Sequence, residues 1–168
     1  MAIGTLIPVE EYLSTAYHPD VEYVDGTLVE RNVGEWFHSL IQRNLVGAFF
    51  VKYPHVFAVP EFRTKTRETR YRIPDVCVLR TPSKTKVLLE ASFIAIEVLS
   101  DEDRMSRVFE RLTEFEAKGT PNIWVIDPDQ RQMFTFRSGD LLEVKGDVIA
   151  TDNPRIELTR ADVFKDMH

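Results

Sequence analysis

Two apolar runs, Phe93-Ile94-Ala95-Ile96 and Ile123-Trp124-Val125-Ile126, stand on either side of a stretch in which Met105, Val108, Leu112 and Phe115 recur at helical spacing. No other feature constrains the fold of this chain so tightly. Each run has the continuous apolar character of a strand buried on both faces, and the stretch between them has the single apolar stripe of an amphipathic helix. A helix that joins two strands of one sheet requires a right-handed parallel crossover. Ser100 followed by Asp101, Glu102 and Asp103 supplies a helix start, with serine as N-cap and acids in the first turn, and Gly119 supplies a stop.

Around this unit the pattern predicts further elements. Pro8 to Leu13 opens a short helix, with proline early and acids in the first turn. Val21–Val24 and Thr27–Glu30 flank Asp25-Gly26, a hairpin with a two-residue turn. A second helix is expected over residues 34–52, with His38, Ile41, Leu45 and Ala48 at helical spacing. Residues 56–65 and 70–79 read as a hairpin turning near Arg67-Glu68-Thr69, and residues 88–99 as a third strand. Beyond Asp127-Pro128 the pattern gives short alternating strands at 132–137 and 141–145, then a terminal helix near 159–165. The central order, helix, strand, strand, strand, helix, strand, is that of an α/β or α+β fold: a mixed central sheet flanked by helices, with an N-terminal helix-hairpin and C-terminal short strands. A length of 168 residues suits one domain over 1–168 that buries a core without staples, and no internal repeat or linker interrupts it.

The composition, 43% hydrophobic and 29% charged, is that of an ordinary globular protein. No apolar run approaches the roughly 20 residues of a membrane span, and the N-terminal stretch lacks the pattern of a secretory signal. A single cysteine makes no internal disulfide, so the cytoplasm is the expected compartment. A net charge of -6 argues against a surface coated by nucleic acid, while leaving room for a local basic strip.

The chemistry lies in two acids that interrupt apolar strands. Asp75 sits in Ile73-Pro74-Asp75-Val76-Cys77-Val78, and Glu97 in Ile94-Ala95-Ile96-Glu97-Val98-Leu99. An unpaired buried carboxylate is costly, so each needs a cation, a set of donors or a cleft. Two readings stay open at this point. The acids converge on one divalent ion, where oxygen-only ligands favour Mg2+ or Mn2+ over zinc, or each pairs with an arginine at a strand end.

Pro74-Asp75-Val76, then Ile96-Glu97-Val98-Leu99-Ser100, then Gly119 to Pro128 resemble in order the Uma family of restriction endonucleases, a branch of the PD-(D/E)XK nuclease superfamily. Glu22, Asp25-Gly26, His38, Ile41 and Leu45 also match its pattern, so the resemblance runs from about Tyr12 to Pro128. It implies a restriction-endonuclease-like core and a metal-dependent DNA endonuclease. In that function Asp75 and Glu97 are metal-binding acids, the Val98 carbonyl is a third ligand, Mg2+ or Mn2+ is the cofactor and DNA the partner. Nuclease folds of this kind often pair to cut two strands, and an apolar sheet edge could serve such a homodimer. The departure is the lysine: position 99 is leucine. In this family the lysine often sits on the following helix, ahead of a tyrosine, and those positions here hold Arg111 and Phe115. Arginine can stabilise a negative transition state through its fork but is a poor proton carrier. The alternative reading is therefore a catalytically inactive nuclease-like module that binds nucleic acid or protein.

Other residues support either reading. Arg104, Arg107, Arg111, Glu114 and Lys118 follow three-four spacing and give a mostly basic stripe: phosphate ligands, or a solvated face with pairs such as Arg111 with Glu114. Arg63, Lys65 and Arg67 alternate along one strand, with Arg70 and Arg72 continuing on its partner, and form either a row of phosphate contacts or a charged solubilising edge. Glu61 is an extra metal ligand or a partner for Arg63 or Arg72. Glu35 and His38 stand where an accessory acid of the superfamily helps hold metal, although His38 shares a face with Ile41 and Leu45 and fits a core histidine. Cys77 reads as a buried, inert small hydrophobe.

Overall fold

The computed structural model describes residues 5–32 and 34–168. Residues 1–4, where the stretch read for a secretory signal begins, lie outside them. Helix α1 (Val9–Ser14) leads into a hairpin of β1 (Val21–Val24) and β2 (Thr27–Glu30). Asp25 and Gly26, with φ of 49° and 90°, form the predicted two-residue turn; both sit in the left-handed region that such turns require. Helix α2 (Trp36–Lys52) follows, then β3 (Phe57–Pro60), β4 (Thr64–Arg67), β5 (Arg70–Arg72), β6 (Val76–Leu79) and β7 (Ile94–Val98). Helix α3 (Met105–Lys118) crosses to β8 (Asn122–Asp127). The chain ends in β9 (Gln132–Arg137), β10 (Asp140–Glu143), β11 (Val148–Thr151), β12 (Ile156–Thr159) and α4 (Arg160–Val163).

The fold is a mixed α+β architecture with four helices among the described residues and a mixed central sheet, ordered β10-β9-β8-β7-β6-β3. The crossover predicted from the two apolar runs is present: β7 and β8 pair in parallel, Ile94 against Asn122 through Val98 against Ile126, and every other pairing in this sheet is antiparallel. One face packs Ile94, Ile96, Trp124 and Ile126 against Ile41, Leu45 and Phe49 of α2. The other packs Ala95, Ile123 and Val125 against Val108, Leu112 and Phe115 of α3. Helices thus cover both faces, which is why these strands carry no polar alternation.

Four details differ from the sequence reading. Each strand expected over 56–65 and 70–79 is split between two sheets. Its first or last part joins the central sheet as β3 and β6, and the rest joins a second sheet, β2-β1-β5-β4. The break falls at Glu61, whose φ is 52°, and at Pro74, which has no N–H to give a ladder. The third strand begins at Ile94 rather than residue 88, and Leu88 makes only an isolated bridge to Thr64. Ser100 is not the N-cap of α3: it closes a turn with Asp103, whose Oδ2 accepts from Ser100 N at 2.8 Å and Ser100 Oγ at 3.1 Å, and the helix starts at Met105. Near the C-terminus, β11 and β12 form an unpredicted hairpin and α4 is short.

A buried ion-pair network ties the second sheet to α3. Arg72 donates through Nη1 to Glu22 Oε2 at 3.0 Å and through Nε and Nη2 to Glu114 at 2.9 and 2.7 Å. Glu22 Oε1 accepts from Ile73 N at 2.9 Å, while Arg70 and Thr66 complete Glu114 at 2.7 and 2.8 Å. Glu22, Arg72 and Glu114 are 3%, 4% and 1% exposed, so each charge depends on its partner rather than on water. Arg72→Ala strips buried Glu22 of its cation and leaves buried Glu114 to Arg70 alone. It is expected to lower stability by about 3–5 kcal/mol in urea unfolding; a loss of about 1 kcal/mol or less, as at a surface pair, would contradict this account.

Candidate metal and phosphate cleft

The paired part of β6 and β7 ends at Val76 opposite Ile96. Continuing that antiparallel register by one residue sets Asp75 opposite Glu97, so the two side chains share a face of the sheet. Pro74 is the residue that would pair next, and it has no amide hydrogen to give. The Asp75 side chain takes over the ladder's role: its Oδ2 accepts the Val98 N–H at 2.7 Å. The Asp75 main-chain carbonyl is held by Gln42 Nε2 at 3.0 Å and by the Glu61 N–H at 3.2 Å.

Both carboxylates open onto one cleft of about 210 Å³, walled by the β2–α2 connection, β5, the end of β7 and the start of α3. Asp75 Oδ1 meets Arg31 Nη2 at 3.0 Å and His38 Nε2 at 3.3 Å, and Arg31 Nη1 reaches Glu61 Oε1 at 3.2 Å. Glu97 Oε2 accepts from Arg111 Nε at 3.2 Å and Nη2 at 2.9 Å. Glu97 Oε1 is buried and has no partner, as is His38 Nδ1.

The protonation pattern follows from these contacts. Burial raises the Asp75 carboxyl, but the His38 hydrogen bond, the His38 and Arg31 charges and the Val98 N–H outweigh it and hold it below the usual range. Burial disfavours the imidazolium of His38, but the hydrogen bond to Asp75 and its charge raise it above its ordinary value. Glu97 goes the other way. Burial first, then the charges of Asp75 and Glu22, push its carboxyl up to about 8 against the pull of Arg111. The bare Oε1 is the atom that carries a proton below that point, or faces a cation.

Of the residues singled out in the sequence, Asp75, Glu97, Val98, Arg111, Arg104 and His38 border the cleft. Glu61 is half exposed and connects to the site through Arg31. Glu35 precedes α2 as an N-cap without a side-chain bond and does not line the cleft. Arg63, Lys65 and Arg67 also lie outside it: Arg63 bonds Asp20 at 2.7 Å and stacks over Tyr12, and Lys65 pairs with Glu68. Arg72 does not continue that basic row, whereas Arg70 stands opposite Arg67 beyond a shift in register. Lys65 is paired across the ladder with Tyr71 and Thr64 with Arg72, so Lys65 and Arg72 point to opposite faces. Arg111 and Glu114 do not pair with each other; they reach Glu97 and Arg72 instead. Cys77 is buried in β6, with its thiol pushed up to about 12 by desolvation.

The reading from sequence missed Arg31, Gln42 and the Arg72 network. Arg31 and Gln42 carry no periodic signal. Glu22 and Arg72 do: each is a charged residue between apolar neighbours, the signal that singled out Asp75 and Glu97.

Among the described residues no group of three or more His, Cys, Asp and Glu side chains is placed to hold a metal ion. The donor set here is smaller: two carboxylates, one with an unpartnered buried oxygen. It fits Mg2+, which is bound through one or two carboxylates and keeps its remaining positions for water and phosphate. It does not fit a structural zinc site, which needs four protein ligands.

Comparison with known proteins bears on the family and the fold. The Uma2 family, described as "Putative restriction endonuclease", matches residues 9–160. A solved structure described as "a putative nuclease belonging to DUF820" from Anabaena variabilis superposes with a TM-score of 0.78 at 24% identity, covering 94% of this chain and 97% of that one. At that identity the likeness shows a shared fold. No curated protein matches the chain. No helix among the described residues is long and apolar enough to cross a membrane.

The raised carboxyl of Glu97 has a pH consequence. Between the ordinary glutamate value of 4.5 and about 8, the folded chain holds a proton that the unfolded chain has lost. The contribution of this group to stability is therefore fully present below 4.5 and declines as pH rises towards 8. In metal-free denaturant unfolding, wild type is expected to lose stability relative to Glu97→Gln across that window; parallel curves for the two proteins would contradict the shift.

Proposed function

The chain belongs to the Uma2 family, and on that premise we propose that its cleft hydrolyses phosphodiester bonds in DNA with the help of Mg2+ or Mn2+. The observation that carries this reading is the register of β6 against β7, which sets Asp75 and Glu97 side by side at the rim of one polar cleft. Asp75 and Glu97 would hold the ion, with the Val98 carbonyl as a backbone ligand. A divalent ion, when bound, supplies Lewis acidity at the scissile phosphate and lowers the pKa of a bound water.

The chain's own residues do the rest. Arg111 brings a planar fork with a permanent positive charge to the cleft, suited to the non-bridging oxygens of a phosphodiester and to the charge that grows on them in the transition state. His38 holds Asp75 Oδ1 from α2, and Arg31 holds the same oxygen from the β2–α2 connection, so the carboxylate has one orientation. Arg104 and Arg107 line the cleft at the start of α3, where they reach flanking phosphates. Leu99 offers no amine, and Arg111 stays charged throughout, so neither carries a proton. A second copy of the chain would bring a second cleft to the other strand of a duplex.

The test is cleavage of supercoiled plasmid with Mg2+ or Mn2+. Wild type is expected to nick or cut, Asp75→Asn and Glu97→Gln to be inactive, and Arg111→Ala to retain folding but lose about 10²–10³ in rate. Cleavage that survives in both carboxylate variants would overturn the proposal. Binding of the plasmid with no cleavage under either metal would favour a nuclease-like binding module, the reading motivated by Leu99.

A further inference from the structure

Each acid of the cleft is already engaged by a guanidinium, and the two engagements differ. Arg31 spans Asp75 and Glu61, but Asp75 Oδ1 also faces His38 and Oδ2 is held by the backbone. Arg111 by contrast turns two of its nitrogens, Nε and Nη2, onto one oxygen of Glu97. One of the two edges by which the guanidinium can clamp a phosphodiester, Nε with Nη2, is therefore the edge that now touches Glu97.

From this geometry we infer that Arg111 is a tethered counter-cation that competes with the divalent ion for Glu97, and that a phosphodiester relieves the competition by drawing Arg111 onto itself. The inference rests on the metal-site reading above and adds a coupling to it. A dication on Glu97 and a guanidinium within 3.2 Å of the same carboxylate repel each other, so either alone is favoured over both together. A phosphate monoanion accepts the fork bidentately, which frees Glu97 Oε2, and a dication that displaces the proton held on Glu97 then finds both oxygens available. Metal and phosphodiester consequently tighten each other's binding by the same factor, as linkage requires.

The arrangement on α3 lets this happen locally. Glu114, one turn after Arg111, is locked to Arg70 and Arg72, so the helix backbone is fixed while the Arg111 side chain swings. Arg111 itself is partly exposed; among the described residues Asp103 at 3.7 Å is the one other acid within ion-pair distance, and the charges of Glu22 and Asp75 also act on it.

The experiment is Mn2+ binding followed by electron paramagnetic resonance, a readout independent of cleavage. It uses wild type, Arg111→Gln and Asp75→Asn, each with and without dimethyl phosphate as a small phosphodiester that is not turned over. Arg111→Gln is expected to bind Mn2+ tighter than wild type by roughly tenfold or more, and dimethyl phosphate to tighten Mn2+ binding to wild type but not to Arg111→Gln. Equal or weaker Mn2+ binding by a folded Arg111→Gln, with binding lost in Asp75→Asn, would overturn the coupling while leaving the metal site standing. Absence of Mn2+ binding from wild type and Arg111→Gln alike would overturn both. Should Arg111→Gln fail to fold, the arm on the unaltered protein decides: no effect of dimethyl phosphate on Mn2+ affinity contradicts the inference.

Discussion

Strand β7 outlasts its partner β6, and the place where it does so is the origin of the site. Pro74 cannot donate to a ladder, so pairing stops at Val76 opposite Ile96 and the Val98 N–H is left facing the gap. Asp75 fills that gap with a side-chain oxygen at 2.7 Å. The same contact satisfies a buried amide, which would otherwise be costly, and fixes a carboxylate opposite Glu97. Fold and site are therefore one construction: Asp75, which closes the gap beside Pro74, also supplies half of the acidic pair.

Helix α3 links this pair to the second sheet. Its apolar stripe packs on Ala95, Ile123 and Val125, while its charged side is divided between two tasks. Glu114 enters the buried network with Arg72 and Glu22, and Arg111 enters the cleft. Because the network is closed to water, its geometry is set by hydrogen bonds rather than by solvent, and a displaced α3 would strand charges on both sides. The cost of such charges explains why the acids of the cleft sit where cations can reach them, on arginines in this structure and, in the proposed function, on a metal ion.

Much of this was legible in the amino-acid sequence, for reasons that differ by element. The β7-α3-β8 crossover was readable because strands covered on both faces are continuously apolar, and the Asp25-Gly26 turn because two successive left-handed residues demand such a pair. The split of residues 56–65 and 70–79 between two sheets was not, since alternation does not say which sheet a strand joins; Pro74 was the one local clue. The start of α3 was misplaced because Ser100 and Asp103 satisfy a turn as readily as a helix cap. Asp75 and Glu97 announced themselves as acids within apolar runs. Arg31 did not, because it reaches the cleft from an irregular connection after β2. Arg63, Lys65 and Arg67 read in one dimension as a basic row, either phosphate contacts or a charged edge; in the sheet Arg63 is bonded to Asp20 over Tyr12 and Lys65 to Glu68.

The central claim is that Asp75 and Glu97 receive one divalent cation between them. Crystals grown with Mn2+ and measured at the manganese absorption edge test it most directly. The account predicts one anomalous peak within coordination distance of both carboxylates, with the Val98 carbonyl beside it. A peak bound elsewhere, with both carboxylates still held by Arg31 and Arg111, would contradict it.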